Sequence, residues 1–312
     1  TTPQQIDWYY YYGEKSLFQP DLRLRMAPER VERNAAYGVV YNNKQVDSIL
    51  YRIQGVPEDD VFLDGAATIQ FRRDGSRELR FWKNEYGTIE NNRRGYAVMI
   101  GDRDEDGTGV MWRFYDRKGH RVRDCSGAWQ IRIQDCIGEK QDIVFLDAAG
   151  RELLTVYGFA RERRIAVSKK ETHRLLFDCD GAPVVGVGSD YHFSKTVENR
   201  TDDSIVLEYY YYDTARQPVS VPGQAPREIF TATRTQTESR LLDAEGNPML
   251  CSAGFAVQTC EYRNGLLTEL HFSNTAGEPA YVIDGFSSVE YEYNSNGRIQ
   301  SYSFFDIYGN PV

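Results

Sequence analysis

The chain has 312 residues, a formal net charge of −9 and a mean hydropathy of −0.58. That length allows one large domain or two ordinary ones with a buried core. The negative charge offers no footprint for nucleic acid or an anionic membrane. No window approaches the ~18 apolar residues of a membrane helix, so no membrane span is expected.

Much of the apolar content is aromatic, with 22 Tyr, 15 Phe and 4 Trp, which favours strands over helices. Short basic clusters at Arg161 to Arg164 and Asn91 to Gly95 read as solvated faces. The opening TTPQQIDW carries no methionine, basic n-region or apolar h-region. A mature or trimmed start is expected, with any targeting signal removed.

Residues 1–38 read as a capping unit with an insertion. Tyr9 to Tyr12 precede Gly13 and Ser16, which fall loosely into the Asp and Gly slots of a frame that becomes clear downstream. Asp21 to Gly38 then intrudes, and Pro28-Glu-Arg-Val-Glu-Arg predicts a short helix. Terminal repeats commonly take such altered forms.

From residue 39 onward the chain repeats. WRFYDRKGHRVRDCSGAW, DIVFLDAAGRELLTVYGF, ESRLLDAEGNPMLCSAGF and SYSFFDIYGNPV share one frame. Apolar residues lead to Asp or Asn, two variable residues, Gly, often Pro or Val, and a second Gly before an aromatic. The first glycine recurs at Gly55, Gly87, Gly119, Gly150, Gly181, Gly246, Gly277 and Gly309, with Arg216 in the remaining slot. The second recurs at Gly95, Gly127, Gly158, Gly188, Gly223, Gly254 and Gly285, with a common period of about 31. Asx-x-x-Gly is turn chemistry, because the side chain bonds its own backbone and Gly accepts positive φ.

A second turn sits mid-unit, as YNNK (Tyr41 to Lys44), DEDG (Asp104 to Gly107), YRNG (Tyr262 to Gly265) and YNSNG (Tyr293 to Gly297). Asn-Gly between β-forming runs signals a hairpin. The residue two before the Asx slot is Trp82, Phe114, Phe145, Leu176, Tyr211, Leu241, Phe272 and Phe304, always large and apolar, so it is assigned to the core. A unit of about 31 residues is too short for the four strands of a propeller blade. The expected fold is all-β, an elongated array of stacked antiparallel hairpins over 39–312, about nine units, either an extended single sheet or a β-solenoid. The chain ends in GNPV, partway through a unit, as a C-terminal cap or the cut end of a longer array.

GFAVQTCEYRNG and YEYNSNGRIQSYSFFDIYGNPV resemble tandem β-hairpin repeats of bacterial surface and secreted proteins, similar in style to YD, WG and choline-binding repeats. The resemblance covers about residues 39–312. It implies a non-enzymatic binding or spacing module, with a glycan, cell-wall polymer or protein as partner. The paired tryptophans of choline-binding units are missing, so choline is not implied.

The candidate sites follow from where the chain leaves its frame or carries special chemistry. Asp102, Asp104 and Asp106 form D-x-D-x-D-G, the front half of a Ca2+ loop. Arg113 stands where an EF-hand needs Glu, and the stretch is also a mid-unit turn, so Ca2+ is the alternative to plain turn chemistry. Otherwise no cofactor is expected. The four histidines are scattered, and His271 reads as a surface residue. The recurring Asp116, Asp147, Asp178, Asp213, Asp243 and Asp306 are structural, so an active site should break the period.

Two places break it: residues 14–37, and the unit from Gly188 to Gly223, with Arg216, Pro218, Pro222 and Pro226. Tyr209 and Tyr211 should join the core, leaving Tyr210 and Tyr212 on the opposite face as candidate binding residues, with Trp129 as a third. The five cysteines form no CxxC pair and read as small buried strand residues, with Cys125–Cys136 and Cys251–Cys260 disulfides as the alternative. The expected function is a non-enzymatic bacterial surface or secreted module for binding or spacing, hence extracellular. A polysaccharide-acting enzyme with carboxylates in an irregular unit, or an intracellular scaffold, are the alternatives.

Overall fold

The computed structural model describes residues 5–16, 19–136, 140–221 and 225–312. Pro222 and Gly223, assigned above to the irregular unit, lie outside the described residues, as do the side chains of Tyr12 and Cys136. Among the described residues the fold is all-β, with 22 strands in an antiparallel sheet that does not close into a barrel. Hairpins supply the strands, as the Asn-Gly and Asx-x-x-Gly spacing requires.

Two compact units are present, Thr1–Ile165 with Leu176–Ala182, and Ala166–Leu175 with Pro183–Val312. The first begins with β1 (Gln5–Ser16), β2 (Gln19–Met26), a 3-10 helix at Pro28–Arg33, β3 (Ala35–Asn42), β4 (Gln45–Ile53) and β5 (Val56–Pro57). It continues with β6 (Thr68–Asp74), β7 (Arg77–Lys83), β8 (Val98–Arg103), β9 (Gly109–Tyr115), β10 (Arg121–Val122), β11 (Gln130–Cys136) and β12 (Lys140–Leu146). Strands β13 (Arg161–Ala166) and β14 (Glu171–Phe177) follow. The second unit then holds β15 (Phe193–Arg200), β16 (Ile205–Tyr212), β17 (Arg227–Ala232) and β18 (Gln236–Leu242). It finishes with β19 (Val257–Arg263), β20 (Leu266–Ser273), β21 (Ser288–Tyr293) and β22 (Ile299–Phe305).

The mid-unit turns are the hairpin turns. Asn43 and Lys44, and Asn264 and Gly265, take positive φ at the two-residue tips of β3–β4 and β19–β20. Successive hairpins then join edge to edge, as in β7–β8 and β20–β21. Between them runs a short return, in which Pro218, Pro248, Pro279 and Pro311 each bridge back to the strand just left.

Alternation places the core as expected. Trp82, Phe114, Phe145, Leu176, Tyr211, Leu241 and Phe272 are all buried, while Phe304 is half-buried. Those that are aromatic pack with an aromatic that follows a second-ladder glycine. In the first unit Tyr96 stands 5.0 Å from Trp82 and 4.8 Å from Phe114. In the second, Phe286 stands 6.0 Å from Phe272 and 4.7 Å from Phe304. A small residue beside that aromatic lets the chain cross closely: Ala97 and Ala256 are fully buried and donate to Tyr115 O and Ser273 O at 2.8 Å.

Two expectations are corrected. Strand β1 runs through Gly13 to Ser16 without a turn, so Tyr9 to Tyr12 do not sit in the Asx-x-x-Gly frame. Pairing with β2 holds that segment extended. Cys125 and Cys179 are exposed, Cys260 is half-buried and Cys251 is buried, and these four carry free thiols. His271 keeps 42% of its side chain exposed, in line with a surface residue, and bonds Glu269 at 3.0 Å.

Candidate functional site

In the unit marked as most irregular in sequence the outer turn keeps its regular form, while the inner turn before it is expanded by one residue, with Gly186 N donating to Tyr191 O at 3.1 Å. Arg216 takes φ +64°, the left-handed conformation that glycine supplies in the other units. Asp213 Oδ1 still accepts from Ala215 N at 2.8 Å and Gln217 N at 2.9 Å. The Arg216 guanidinium lies 4.1 Å from the Phe193 ring centre, a cation–π contact that offsets part of the backbone strain.

The residues beside this turn are locked into the fold. Tyr211 is buried as expected, while Tyr209, Tyr210 and Tyr212 are half-buried. The Tyr210 hydroxyl donates to Glu208 at 2.7 Å, Arg227 pairs with the same carboxylate at 2.8 Å, and Lys195 Nζ lies 3.9 Å from the ring. Tyr212 stacks on Phe193 at 5.2 Å. Trp129 is half-buried beneath the Arg123 guanidinium, 5.4 Å from its ring.

Nor do Asp102, Asp104 and Asp106 converge. Asp102 points from β8 to Arg77 at 2.7 Å and Arg113 at 2.6 Å. Burial pushes its carboxyl up, but the two guanidinium groups outweigh that and hold it below the usual range. Asp104 closes the hairpin turn through its backbone, and Asp106 accepts from Thr108 N and Oγ1. Among the described residues no group of three or more His, Cys, Asp or Glu could hold a metal.

A larger departure from the frame lies at Asp60 to Ala66. In regular units the inner turn before the second glycine is closed by Asn92 N→Tyr96 O at 2.8 Å or Asp124 N→Ala128 O at 2.9 Å. At the first such turn Asp60 N instead reaches Ala66 O, at 3.0 Å, so two extra residues are looped in. Val61 and Phe62 stand out of the loop, 51% and 63% exposed, while Leu63 anchors it in the core. Asp60 Oδ2 collects Phe62 N at 2.8 Å, Leu63 N at 3.2 Å and the Tyr37 hydroxyl at 3.0 Å. Asp64 takes φ +58° and pairs with Arg94 at 3.1 Å. Gly65 lets the Arg93 stem lie against it, since a Cβ there would come within 3.1 Å of Arg93 Cγ.

The loop walls a notch of about 310 Å3 with Asp59, Asp60, Asp64, Asn92 and Arg93 on its lining. Burial raises the Asp60 carboxyl above its ordinary value, against the bonds it accepts from Tyr37 and the loop N–H groups. Burial also raises Asp59, and the Glu85, Glu58 and Glu90 charges add to it while a backbone bond from Glu85 opposes. Asn92 is 7% exposed, and its Nδ2 has no hydrogen-bond partner among the described residues. Tyr86, next to Glu85, is 81% exposed. The walls thus offer carboxylate acceptors and a guanidinium, with exposed aromatic rings close by in the chain. The signal was available in the glycine spacing: Gly55 to Gly65 is ten residues, against eight for Gly87 to Gly95 and Gly119 to Gly127. Reading the second ladder from Gly95 onward passes over it.

No family model matches the sequence, and no curated protein does. Among solved structures, a Trp-176-Ala mutant of the vaccine antigen Transferrin Binding Protein B from Haemophilus parasuis Hp5 aligns over 96% of this chain and 74% of its own, at 10% identity and a TM-score of 0.17. The Tyr-167-Ala and Trp-176-Ala double mutant aligns over 95% and 73%, at 7% identity and a TM-score of 0.19. Likenesses this slight carry no argument about fold or function. No helix among the described residues is long and apolar enough to cross a membrane.

Proposed function

We propose that the chain is a non-enzymatic binding module of a bacterial surface or secreted protein, and that its ligand, a glycan or cell-wall polymer, seats in the Asp60–Gly65 notch. The observation that carries this reading is the two-residue expansion of the Asp60 inner turn, the largest among the described inner turns. Sugar hydroxyls both donate and accept, which suits a wall of carboxylates and a guanidinium. The exposed Phe62 and Tyr86 rings add apolar surface for the C–H face of a sugar. The volume lies at the small end of ligand sites, roughly 300–1,000 Å3, enough for one residue of a chain. The repeat resemblance supports the surface or secreted setting.

The test is a glycan-array and cell-wall pull-down with the intact chain beside Phe62→Ala and Asp59→Asn, both at exposed positions. Binding that drops about tenfold in either variant supports the notch, a loss of 1.4 kcal/mol. Failure to bind any glycan or wall material rejects the reading. A second reading, a polysaccharide-acting enzyme, draws on the raised Asp59 and Asp60 carboxyls, because a general acid must hold its proton. New reducing ends on incubation with a bound polysaccharide would favour it.

A further inference from the structure

One return in the first unit carries charge that the fold leaves unused. The segment from Asp116 to Asp124 reads DRKGHRVRD, four Lys or Arg against two Asp, in a chain of net charge −9. Both Asp side chains are taken up locally: Asp116 Oδ1 accepts from His120 N at 2.8 Å, and Asp124 Oδ1 from Ser126 N at 3.0 Å. Arg117 pairs with Glu90 at 3.8 Å. Lys118, Arg121 and Arg123 pair with no carboxylate among the described residues.

Two of these cations are held in place. Arg121 stands two after Gly119, in the slot that Pro57, Pro183, Pro218, Pro248, Pro279 and Pro311 fill elsewhere. It is half-buried on β10, opposite Tyr115, and its Nε and Nη2 are buried without a hydrogen-bond partner among the described residues. Such donors forgo hydration and recover it only when an acceptor arrives. Arg123 is exposed, with its guanidinium 5.4 Å from the Trp129 ring centre. Stacking occupies the flat face of a guanidinium and leaves its N–H edge to grip a carboxylate or phosphate.

This return lies against the wall of the Asp60–Gly65 notch. Asn91, on the notch lining, accepts from Arg117 N through Oδ1 at 3.0 Å. Arg123 O lies 3.8 Å from where a Cβ on Gly95 would sit. Resting on the proposed glycan function, we infer that Lys118, Arg121 and Arg123 form an oxyanion site for an acidic group of the polymer seated in the notch, with Trp129 positioning Arg123. The ligand is thereby an acidic polymer. The carboxylate-walled notch takes its hydroxyls, and the neighbouring return takes the anion that the notch repels.

The test measures binding of the intact chain to a galacturonate polymer and to its methyl ester, which lacks the carboxylate charge. The acid should bind about tenfold or more tightly than the ester, a margin that added salt should erode. Arg121→Gln with Arg123→Gln should abolish the margin, and Arg123→Gln alone, at an exposed position, should lose part of it without disturbing the fold. Trp129→Phe, which keeps a ring beneath Arg123, should retain the margin that Trp129→Leu loses. Tighter binding to a glycerol phosphate polymer, lost in the same double variant, would support the site with phosphate as its anion. Equal binding of acid and ester, binding confined to neutral glycans, or a margin that survives the double variant overturns the oxyanion site and leaves the glycan function standing. Failure to bind any glycan or wall material rejects both.

Discussion

The inner turns of the two units share a backbone but not a chemistry. In the first unit the position that opens the turn is Asp60, Asn92, Asp124 or Thr155, and the last three are buried. In the second, among the described residues, it is Gly186, Cys251 or Val282, all buried. Asp124 Oδ1 accepts from Ser126 N and Ala128 N, and Thr155 Oγ1 donates to Phe159 O at 2.6 Å. Cys251 and Val282 lack such bonds, yet Gly254 N→Cys251 O at 3.0 Å and Gly285 N→Val282 O at 2.8 Å close the same turn. A glycine at positive φ and the backbone ladder therefore suffice. The polar side chain is an optional addition that must be desolvated.

The outer turns keep Asx in both units because they are wet. Asp147 and Asp306 each accept two backbone N–H bonds at 3.0 Å or less. The backbone bond from Arg151 leads in holding Asp147 below the usual carboxylate range, and the Asn310 side chain leads for Asp306. Burial instead raises Asp124, against its bonds to Ser126 and Ala128. One motif thus stabilises an exposed turn and burdens a buried one.

Five substitutions would break or sharpen this contrast. The largest effect is expected at the inner-turn glycine of the second unit. A Cβ at Gly254 would lie 2.8 Å from Tyr281 O, whereas at Gly95 the nearest atom is Arg123 O at 3.8 Å. Gly95→Ala should cost about 1–2 kcal/mol for the left-handed conformation alone, and Gly254→Ala roughly 1–3 kcal/mol more for the clash. Denaturant titration of the pair checks this; equal losses would show that φ alone governs both turns.

Val282→Asp places the first unit's chemistry in the second, and should destabilise by about 2–3 kcal/mol at neutral pH. That loss should shrink on acidification as the buried carboxyl takes up a proton. The reverse exchange, Thr155→Val, should cost only about 0.5–1.5 kcal/mol, because Phe159 O keeps the Thr155 N–H.

The smallest effect concerns pH. A carboxyl raised in the folded state binds its proton before the unfolded chain does. Acidification from neutral toward about pH 4 therefore adds stability through Asp124, against the loss from the depressed outer-turn carboxyls. Asp124→Asn lacks that gain while keeping the outer turns. Its melting temperature relative to wild type should therefore fall as the pH is lowered, and a gap constant with pH would place Asp124 in a solvated setting.

The legible part of the fold was the part written in local chemistry. Asn-Gly tips, Asx-x-x-Gly turns and a large apolar residue two before each Asx were enough for hairpins, their order and the core face. Arg216 misled because a residue-type change was read as a structural break, whereas the backbone simply holds Arg in the left-handed region. The departure at Asp60 was visible only as a ten-residue glycine gap, masked by Gly65 falling near the expected period. Tyr210, Tyr212 and Trp129 were placed by alternation, which tells faces apart. It does not show that Lys195, Glu208, Arg227, Phe193 and Arg123 cover them.

By itself the sequence determined the repeat, the turns and the inward side chains, because each depends on residues within a few positions of one another. Tertiary structure decided what those turns enclose. Asp59 comes beside Glu85 and Glu90, and Asp64 beside Arg93 and Arg94, only because neighbouring hairpins pair edge to edge and stack inner turns about 30 residues apart. Whether a carboxylate there is solvated or desolvated is set by that stacking, and so is the exposure of Phe62.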